Sequence, residues 1–516
     1  MQTEKEYLIG REISALRCES VGEYSLPDYN GDVKKILAVK TKVFPTGKFV
    51  GEEALEFSGT VGYEVVYLDG ENNLTHAEFS TDYEAAVKIN SESYVDSDVM
   101  TSVSASSVRL IGPRKLSVKC SLDNEIRISE RRVYDVEGDA FMEYDPQTLT
   151  ASVNILTPAF ASGQSHEIKE EILHIEGAIA DEVEVLLSDA RVELDSLDKA
   201  EESVTVKGST LVSLLIKNSD EMPRLVEKAV PFAEELALAE IDTLDSLHPR
   251  CEITALKSSV TPTEDGVTVS ASLSLVPRIY GKKNSSVELF KDAFLKERGT
   301  ENEYTDFGYT EHICTERKEE NFEFKRGISE VGIENVGEVI YSEAQARVEH
   351  FEIEDNTVKT EGELRLSGIA CRVDENGETI FYPIRFSLPY TQNVNMNCQM
   401  HDNMRVNCAV NSNDVKISFD ENNVFVSVNL VTFVTVSSDK RERCLGASYL
   451  TDEEFSHDES VVTVYYPERG ETLFSIAKRF HTSLGEIAEN NRLSQSVFAS
   501  FGAPVGSLDI KKLMIK

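Results

Sequence analysis

The sequence repeats itself three times, and this periodicity limits the fold more than any other feature. The stretch FSGTVGYEVVYLD at 57–69 aligns with VKGSTLVSLLIKN at 206–218 and with TEGELRLSGIACRVD at 360–374. Apolar residues alternate along each stretch, which predicts a β-strand followed by a turn. The three stretches share a glycine at spacings of 149 and 154 residues: Gly59, Gly208 and Gly362.

Two further blocks recur on either side of this strand, in the same order. The upstream block reads KILAVKTKV, EVLLSDARV and VIYSEAQAR, beginning at residues 35, 184 and 339. The downstream block reads LSVKCSL, VTVSASL and VFVSVNL, beginning at residues 116, 267 and 424. The blocks predict a mainly β protein with three repeated β-sandwich-like units, each a pair of small antiparallel sheets.

The length of 516 residues corresponds to about three to five domains. We predict three repeats and a tail, with boundaries at 20–130, 170–281, 325–440 and 461–516. Charged segments near 130–180 and 282–330 join the units, and their apolar positions leave open whether they are ordered arms or free linkers. Within the second segment, SVELFKDAFLKER at 286–298 has the apolar spacing of a short amphipathic helix.

Charge is distributed unevenly along the chain. There are 91 acidic and 52 basic residues, a net charge of −39, which argues against a nucleic-acid partner and against bare anionic lipid. The tail holds seven Lys/Arg and five Asp/Glu, so it is slightly basic. The run TDEEFSHDES at 451–460 is typical of a solvated linker. We therefore expect the tail to fold alone, tethered through this acidic run.

The sequence gives no sign of a membrane or secreted protein. No stretch approaches about 18 consecutive apolar residues, so no transmembrane segment is expected, and the polar start predicts no secretory signal. None of the eight cysteines forms a C-x-x-C pair, which favours buried free thiols in a reducing compartment. We expect a cytoplasmic protein.

Catalytic and metal-binding patterns are lacking. There is no P-loop, no G-x-G-x-x-G and no G-x-S-x-G, so we expect no enzyme activity, no catalytic residue and no cofactor. The best metal candidate is Cys398-x-x-His401 with Cys408 nearby. It supplies three local ligands, whereas a closed zinc site uses four, and we interpret it as a loop between strands with no metal.

The first repeat opens with SLPDYNGDVKKILAVKTKV at 25–43. Its Leu-Pro-Asp-Tyr, followed by Asp-Val and Ile-Leu, resembles the start of the SPOCS domain, a repeat found in spore-coat-associated proteins of endospore-forming bacteria. The second and third repeats lack the Leu-Pro-Asp-Tyr. They are linked to the first by the internal alignment.

The tail changes period and predicts strand–helix–helix–strand. Thr472 is a suitable N-cap for LFSIAKRF, and Ser483 with Glu486 suits a capping box for SLGEIAEN. The apolar run LMI at 513–515 can return as the second strand.

This tail resembles a LysM domain in GETLFSIAKRF at 470–480 and IAENN at 487–491. The resemblance implies a groove that binds N-acetylglucosamine chains. One wall would hold Gly470, Glu471, Thr472 and Leu473, and Asn491 would begin the other.

Other features of the tail favour a protein partner. Phe474 stands where Trp is common in the family, and the segment from Arg492 to Lys512 is longer than usual for the second loop. This loop contains Phe498 and Phe501, which we predict to be partner-binding residues because buried aromatics often dominate protein interfaces.

The order of modules, three SPOCS-like repeats and one LysM, resembles the clostridial spore-coat morphogenetic adaptor family. The resemblance implies a non-enzymatic adaptor in the mother-cell cytoplasm, recruited to the forespore surface. There it would dock onto the scaffold ATPase of the basal coat layer. The alternative is a LysM that binds peptidoglycan, another N-acetylglucosamine glycan or the lipid-linked precursor. The two hypotheses differ in what they expect of soluble N-acetylglucosamine oligomers.

Overall fold

The structure is a computed structural model, and it describes residues 4–27, 30–219, 221–238, 241–333, 337–401, 403–456, 462–493, 502–508 and 510–516. Within these ranges the chain is mainly β-strand. Two residues of the Leu-Pro-Asp-Tyr motif, Asp28 and Tyr29, lie outside the described residues. The predictions of a mainly β chain with repeated sheets and a strand–helix–helix–strand tail are confirmed.

The first repeat consists of two antiparallel three-stranded sheets. Its strands are β1 (Lys5–Ser25), β2 (Val33–Val50), β3 (Ala54–Asp69), β4 (Leu74–Lys88), β5 (Tyr94–Gly112) and β6 (Lys115–Tyr134). The sheet orders are β2-β3-β4 and β1-β6-β5. Both sheets contribute to one buried core, with Val61 and Tyr63 from β3 and Leu122 and Ile126 from β6 fully buried.

The second repeat has the same two sheets and one extra strand. Its elements are α1 (Asp139–Glu143), β7 (Gln147–Ser162), β8 (His166–Glu176), β9 (Val183–Lys199), β10 (Ser203–Asn218), β11 (Arg224–Ala237), β12 (Ser246–Pro262) and β13 (Gly266–Phe294). One sheet has the order β9-β10-β11. In the other, β12 pairs with the long strand β13, whose first half pairs with β8 and whose second half pairs with β7.

The third repeat returns to three strands in each sheet. Its strands are β14 (Arg298–Gly327), β15 (Glu338–Glu354), β16 (Thr357–Val373), β17 (Thr379–Asn395), β18 (Arg405–Phe419) and β19 (Asn423–Glu454). The orders are β15-β16-β17 and β14-β19-β18. Strands β3, β10 and β16 are therefore equivalent, as are β6, β13 and β19. Each set holds one of the repeated sequence blocks.

The shared glycine lies on the central strand of a sheet in each repeat, opposite an aromatic residue. Gly59 pairs with Tyr83, Gly208 with Phe232, and Gly362 with Tyr390. An ideal Cβ on Gly362 would lie 2.0 Å from the Arg347 carbonyl oxygen and 2.8 Å from the Tyr390 ring. Glycine therefore recurs because the aromatic ring and the neighbouring strand leave no room for a side chain.

We predict that Gly362→Ala lowers the free energy of unfolding by about 1–3 kcal/mol. The added methyl group would collide with the Arg347 carbonyl oxygen and the Tyr390 ring. Gly308→Ala is the matched control, since a Cβ on Gly308 would meet nothing within 4 Å. Urea denaturation compares the two. Equal midpoints for the two variants would show that the tight approach at Gly362 relaxes at no cost.

Equivalent residues of the three repeats meet in one buried cluster, which we call the central cluster. Strand β3 contacts β9, β11 contacts β15, and β16 contacts β2, so each repeat touches the other two. The cluster contains two sets of equivalent residues: Leu37, Leu186 and Tyr341, and Val66, Leu215 and Ile369. The repeats thus enclose a common hydrophobic centre.

An ion pair at this centre joins all three repeats. Lys40 Nζ on β2 lies 2.7 Å from Asp189 Oδ2 on β9 and 3.2 Å from Glu343 Oε2 on β15. The Lys40 side chain is 17% exposed. One lysine of the first repeat therefore neutralises carboxylates from the other two.

The segments between repeats are ordered strands, and one of them corrects a predicted helix. The segment near 130–180 forms α1, β7 and β8, and the segment near 282–330 forms the end of β13 and β14. The helix predicted at 286–298 is wrong, because residues 286–294 continue β13 and pair with β7. The division of the chain at 20–130, 170–281, 325–440 and 461–516 stays a prediction.

The tail consists of β20 (Thr463–Tyr465), α2 (Leu473–Phe480), α3 (Leu484–Asn491) and β21 (Leu513–Ile515), with β20 and β21 antiparallel. The acidic run at 451–460, predicted to be a solvated linker, begins inside β19, where Glu454 pairs with Arg298 of β14. This corrects the prediction for the first part of the run, because residues 451–454 belong to a sheet.

Candidate functional site

The predicted first wall is a turn that leads into α2. Gly470 has a φ of +97°, a backbone conformation that glycine adopts without steric strain. Thr472 is the N-cap, and its Oγ1 accepts a hydrogen bond from Ser475 N at 3.0 Å. The Ser475 hydroxyl in turn accepts from Thr472 N at 2.9 Å. The side-chain oxygen of Thr472 is therefore engaged in a capping box.

Glu471 is held by three groups of the tail itself. Its carboxylate accepts hydrogen bonds from Tyr465 OH at 2.8 Å and Glu468 N at 2.7 Å, and Arg479 Nη1 lies 2.6 Å away. Burial raises the pKa of Glu471, but these partners outweigh burial and hold the pKa below its usual value. The side chain is 11% exposed, so it anchors the turn to β20 and α2.

Asn491, at the start of the predicted second wall, fixes the returning strand. Its Nδ2 donates to Ile487 O and Met514 O, each at 2.8 Å, and its Oδ1 accepts from Met514 N at 2.7 Å. The amide therefore satisfies main-chain groups of β21. The structure thus gives Asn491 a role inside the domain, and its predicted part in ligand binding stays a prediction.

Leu473 packs in the core of the tail and is 1% exposed. Its cluster includes Ile476, Ile487 and Val505, with Phe480 partly buried beside them. Leu473, Ile476 and Phe480, which recur at helical spacing along α2, all pack in this core.

The described part of the second loop lies against the first wall. Val505 N donates to Glu471 O at 2.7 Å, and Thr472 forms an antiparallel bridge with Pro504. The main-chain carbonyl of Glu471 is therefore already bonded. The two aromatic residues predicted to bind a partner, Phe498 and Phe501, lie outside the described residues.

A comparison with protein-family models matches residues 468–497 to the LysM domain. These residues form a LysM domain. The match agrees with the two capped helices between antiparallel strands. The comparisons with curated proteins and with solved structures return no match.

The LysM domain packs against the second and third repeats. Phe474 on α2 meets Phe294 at the end of β13, with ring centroids 5.3 Å apart and an edge-to-face geometry. Both rings are 2% exposed. Leu149 of β7 belongs to the same cluster, and His481 stacks on Phe455 at 3.6 Å. An aromatic side chain of the second repeat thus completes the hydrophobic core of the domain.

Two ion pairs border this contact. Lys478 Nζ lies 2.7 Å from Asp292 Oδ1, and Lys296 Nζ lies 2.5 Å from Glu486 Oε1. Leu484 N also donates to Gln147 Oε1 at 3.3 Å. The expectation of a tail held only through an acidic run missed this interface, which uses residues far apart in the chain.

Glu486 joins the interface to the helix cap. Its carboxylate accepts from Lys296, from Ser483 N at 3.0 Å and from the Thr482 hydroxyl at 2.8 Å. Burial raises the pKa of Glu486, but these three partners outweigh it and lower the pKa to about 2.

We predict that acidification destabilises the LysM domain through this carboxyl group. The unfolded pKa is about 4.3 and the folded pKa is lower, so the stabilisation is present above about pH 4.3 and is lost as the pH falls towards 2. Hydrogen exchange of the backbone amides of α2 and α3, compared between pH 5 and pH 2.5, measures this loss of stabilisation. Glu486→Gln should raise exchange at pH 5 and reduce the pH dependence, whereas Glu489→Gln, at an exposed position of α3, should not. An unchanged pH dependence in Glu486→Gln would contradict the prediction.

The suggested metal ligands do not converge. Among the described residues, no group of three or more His, Cys, Asp or Glu side chains could hold a metal ion. Cys398 Sγ lies 3.8 Å from Met400 Sδ, and Cys408 packs in the same apolar cluster, while His401 is exposed. Burial raises the pKa of Cys408 to about 11, so this thiol stays protonated at neutral pH.

All eight cysteines are free, and Cys120, Cys371 and Cys444 are buried. In the part of the chain that the structure describes, no helix has both the length and the apolar character needed to cross a membrane.

Proposed function

We propose that this chain is a non-enzymatic assembly protein that binds a protein partner through its LysM domain. One observation supports this most: the polar groups of the predicted sugar groove are occupied by the chain itself. The side chains of Glu471, Thr472 and Asn491 all bond within the domain. A sugar would have to replace these bonds, and an exchange of one hydrogen bond for another gains little free energy.

The three repeats fit the same proposal. Each has two sheets in the same arrangement, and a chain that presents similar surfaces several times gains avidity from individually weak contacts. Three repeats followed by a LysM domain are the module order on which the resemblance to the clostridial spore-coat morphogenetic adaptors rests. The proposed partner is accordingly the scaffold ATPase at the forespore surface, reached from the mother-cell cytoplasm, with SPOCS-like repeats adding further contacts.

The second candidate is binding of peptidoglycan, another N-acetylglucosamine glycan or a lipid-linked precursor. The LysM match at 468–497 favours it, because the LysM family includes glycan-binding domains. Glycan binding would require a ligand that bonds to main-chain groups of the groove. Alternatively, the second loop would have to move so that the Glu471 carbonyl oxygen could accept a hydrogen bond from the ligand.

We predict that Phe498→Ala and Phe501→Ala each weaken the protein complex by about 2 kcal/mol, or roughly thirtyfold. The full chain is titrated with the coat scaffold protein, chitin oligomers and muropeptides. Phe49→Ala is the matched control, since Phe49 lies on β2 of the first repeat and is 67% exposed. Binding of sugar oligomers that is indifferent to both changes, with no affinity for the scaffold, would establish the glycan alternative instead.

A further inference from the structure

A cleft of about 470 Å³ in the first repeat is basic, although the chain as a whole carries a net charge of −39. It lies where β1 and the end of β6 meet the loop between β4 and β5. Arg11, Lys88, Arg131 and Arg132 line it, together with the single carboxylate of Glu130. The local excess of positive charge concentrates the field on any ligand inside the cleft.

A buried carboxylate fixes two of the guanidinium groups. The Glu130 side chain is 7% exposed, with Oε1 3.3 Å from Arg11 Nε and Oε2 3.2 Å from Arg132 Nη2. Arg11 Nη2 also donates to the main-chain carbonyl of Lys88 at 2.9 Å. Because these contacts hold both arginines in place, an incoming anion loses less affinity to the ordering of side chains.

The acidic groups near the cleft do not balance its cations. Glu6 pairs with Arg131, with 2.7 Å between carboxylate and guanidinium, and Glu130 is shared between two arginines. Lys88 Nζ makes no ion pair with any residue that the structure describes. A guanidinium offers paired N–H donors that match the oxygens of phosphate. A lysine adds a mobile positive charge.

We propose that this cleft binds a small organic molecule bearing a phosphate group. The volume is within the range of about 300–1,000 Å³ typical of small-molecule sites and exceeds what inorganic phosphate alone would fill. Val133, which is 55% exposed, gives apolar surface beside the cations. An organic group beside the phosphate would cover this side chain.

The positive lining is a specific feature of this cleft. A second cleft of about 420 Å³ surrounds Gly59 and Tyr83 in the same repeat. Of the described residues that line it, Asp82 and Glu84 are acidic and none is basic. The charge of the first cleft is therefore opposite in sign to that of the second.

The test is calorimetric titration of the full chain with inorganic phosphate, pyrophosphate and ADP at two salt concentrations. We expect ADP to bind one to one, more tightly than inorganic phosphate, and more weakly as salt increases. Lys88→Gln and Arg132→Gln should each weaken ADP binding about tenfold. Lys88→Gln breaks no ion pair with the described residues, and its fold is checked by circular dichroism.

Arg17→Gln is the control, because Arg17 lies on β1 outside the cleft and pairs with Asp123 at 3.0 Å. It removes the same charge and should leave ADP binding unchanged. No binding of any probe would overturn the proposal. An equal loss in Arg17→Gln would also overturn it, because the effect would then come from net charge. Phosphate binding as tight as ADP binding would overturn the assignment of an organic ligand.

Discussion

Replacement of Lys40 by methionine is expected to lower the free energy of unfolding by about 3 kcal/mol. The side chain is mostly buried, and its Nζ is the only cation that the described structure places within ion-pair distance of either Asp189 or Glu343. Methionine keeps most of the volume and removes the charge. Two carboxylates from different repeats would then face each other without a counter-ion, at the point where all three repeats join.

The surroundings of Lys40 stabilise its charged form. Burial lowers the pKa of the Lys40 amine, but Tyr341, Asp189 and Glu343 together raise it well above its usual value. The Tyr341 hydroxyl also donates to Glu343 Oε2 at 3.0 Å. Because the folded pKa is raised, the stabilisation is fully present below about pH 10.4 and is lost only as the pH rises through the folded pKa.

Urea denaturation of Lys40→Met measures this effect against Lys119→Met. Lys119 pairs with Glu19 at 2.8 Å, and both side chains are 53% exposed, so its loss should cost at most about 1 kcal/mol. Adding Asp189→Asn and Glu343→Gln to Lys40→Met removes the unpaired charges and should recover much of the stability. If both lysine variants lost the same stability, or if the triple variant recovered none, the Lys40 ion pair would not be what stabilises the contact between the repeats.

The repeated sheets could be predicted because their signals are local. Alternation of apolar residues marks β3, β10 and β16, and an aspartate marks the turn that follows two of them. Asp69 Oδ1 accepts from Glu71 N and Asn73 N, and Asp374 Oδ1 accepts from Asn376 N and Glu378 N. The central cluster could not be predicted, because apolar residues at the same repeat positions could equally have packed inside separate sandwiches.

The wrong helix in β13 has a local cause. The register between β13 and β7 shifts between Phe290 and Asp292, where an extra residue forms a bulge. Alternation places Val287 and Leu289 on the buried face, and beyond the bulge Ala293 and Phe294 are buried as well. An alternation that changes phase imitates the spacing of a helix, and a sequence pattern cannot separate the two.

The two helices of the LysM domain were predictable because each N-cap and its partner lie within four residues of each other. Whether its polar groups are free to bind a ligand could not be predicted. Asn491 bonds to Met514, and Glu471 bonds to Val505, so each depends on how a distant segment returns. Sequence similarity identifies the domain, but the hydrogen bonds of its groove depend on the length and path of this chain's own second loop.

Removal of the Phe294 ring should release the LysM domain from the repeats. The ring is 2% exposed and packs on Phe474 within the core of the domain. Truncation of a buried Phe to Ala costs about 3–5 kcal/mol. If about 3 kcal/mol of that acts on the docked state, the undocked population rises at least a hundredfold. The ion pairs Lys478–Asp292 and Lys296–Glu486 are partly exposed and would hold the interface only weakly alone.

Limited proteolysis and hydrogen exchange of Phe294→Ala distinguish a docked domain from a tethered one. We expect faster release of a tail fragment and faster exchange in α2, where Phe474 loses its partner. Phe351→Ala is the control, since Phe351 lies on β15 and is 37% exposed. Unchanged cleavage and exchange in Phe294→Ala would mean that the domain is tethered, as the acidic run first indicated.

The affinity of Phe294→Ala for the scaffold protein distinguishes two binding surfaces. A partner that binds the α2–α3 face must displace Phe294, and the variant would then bind it more tightly. A partner that binds the second loop would be unaffected by the release.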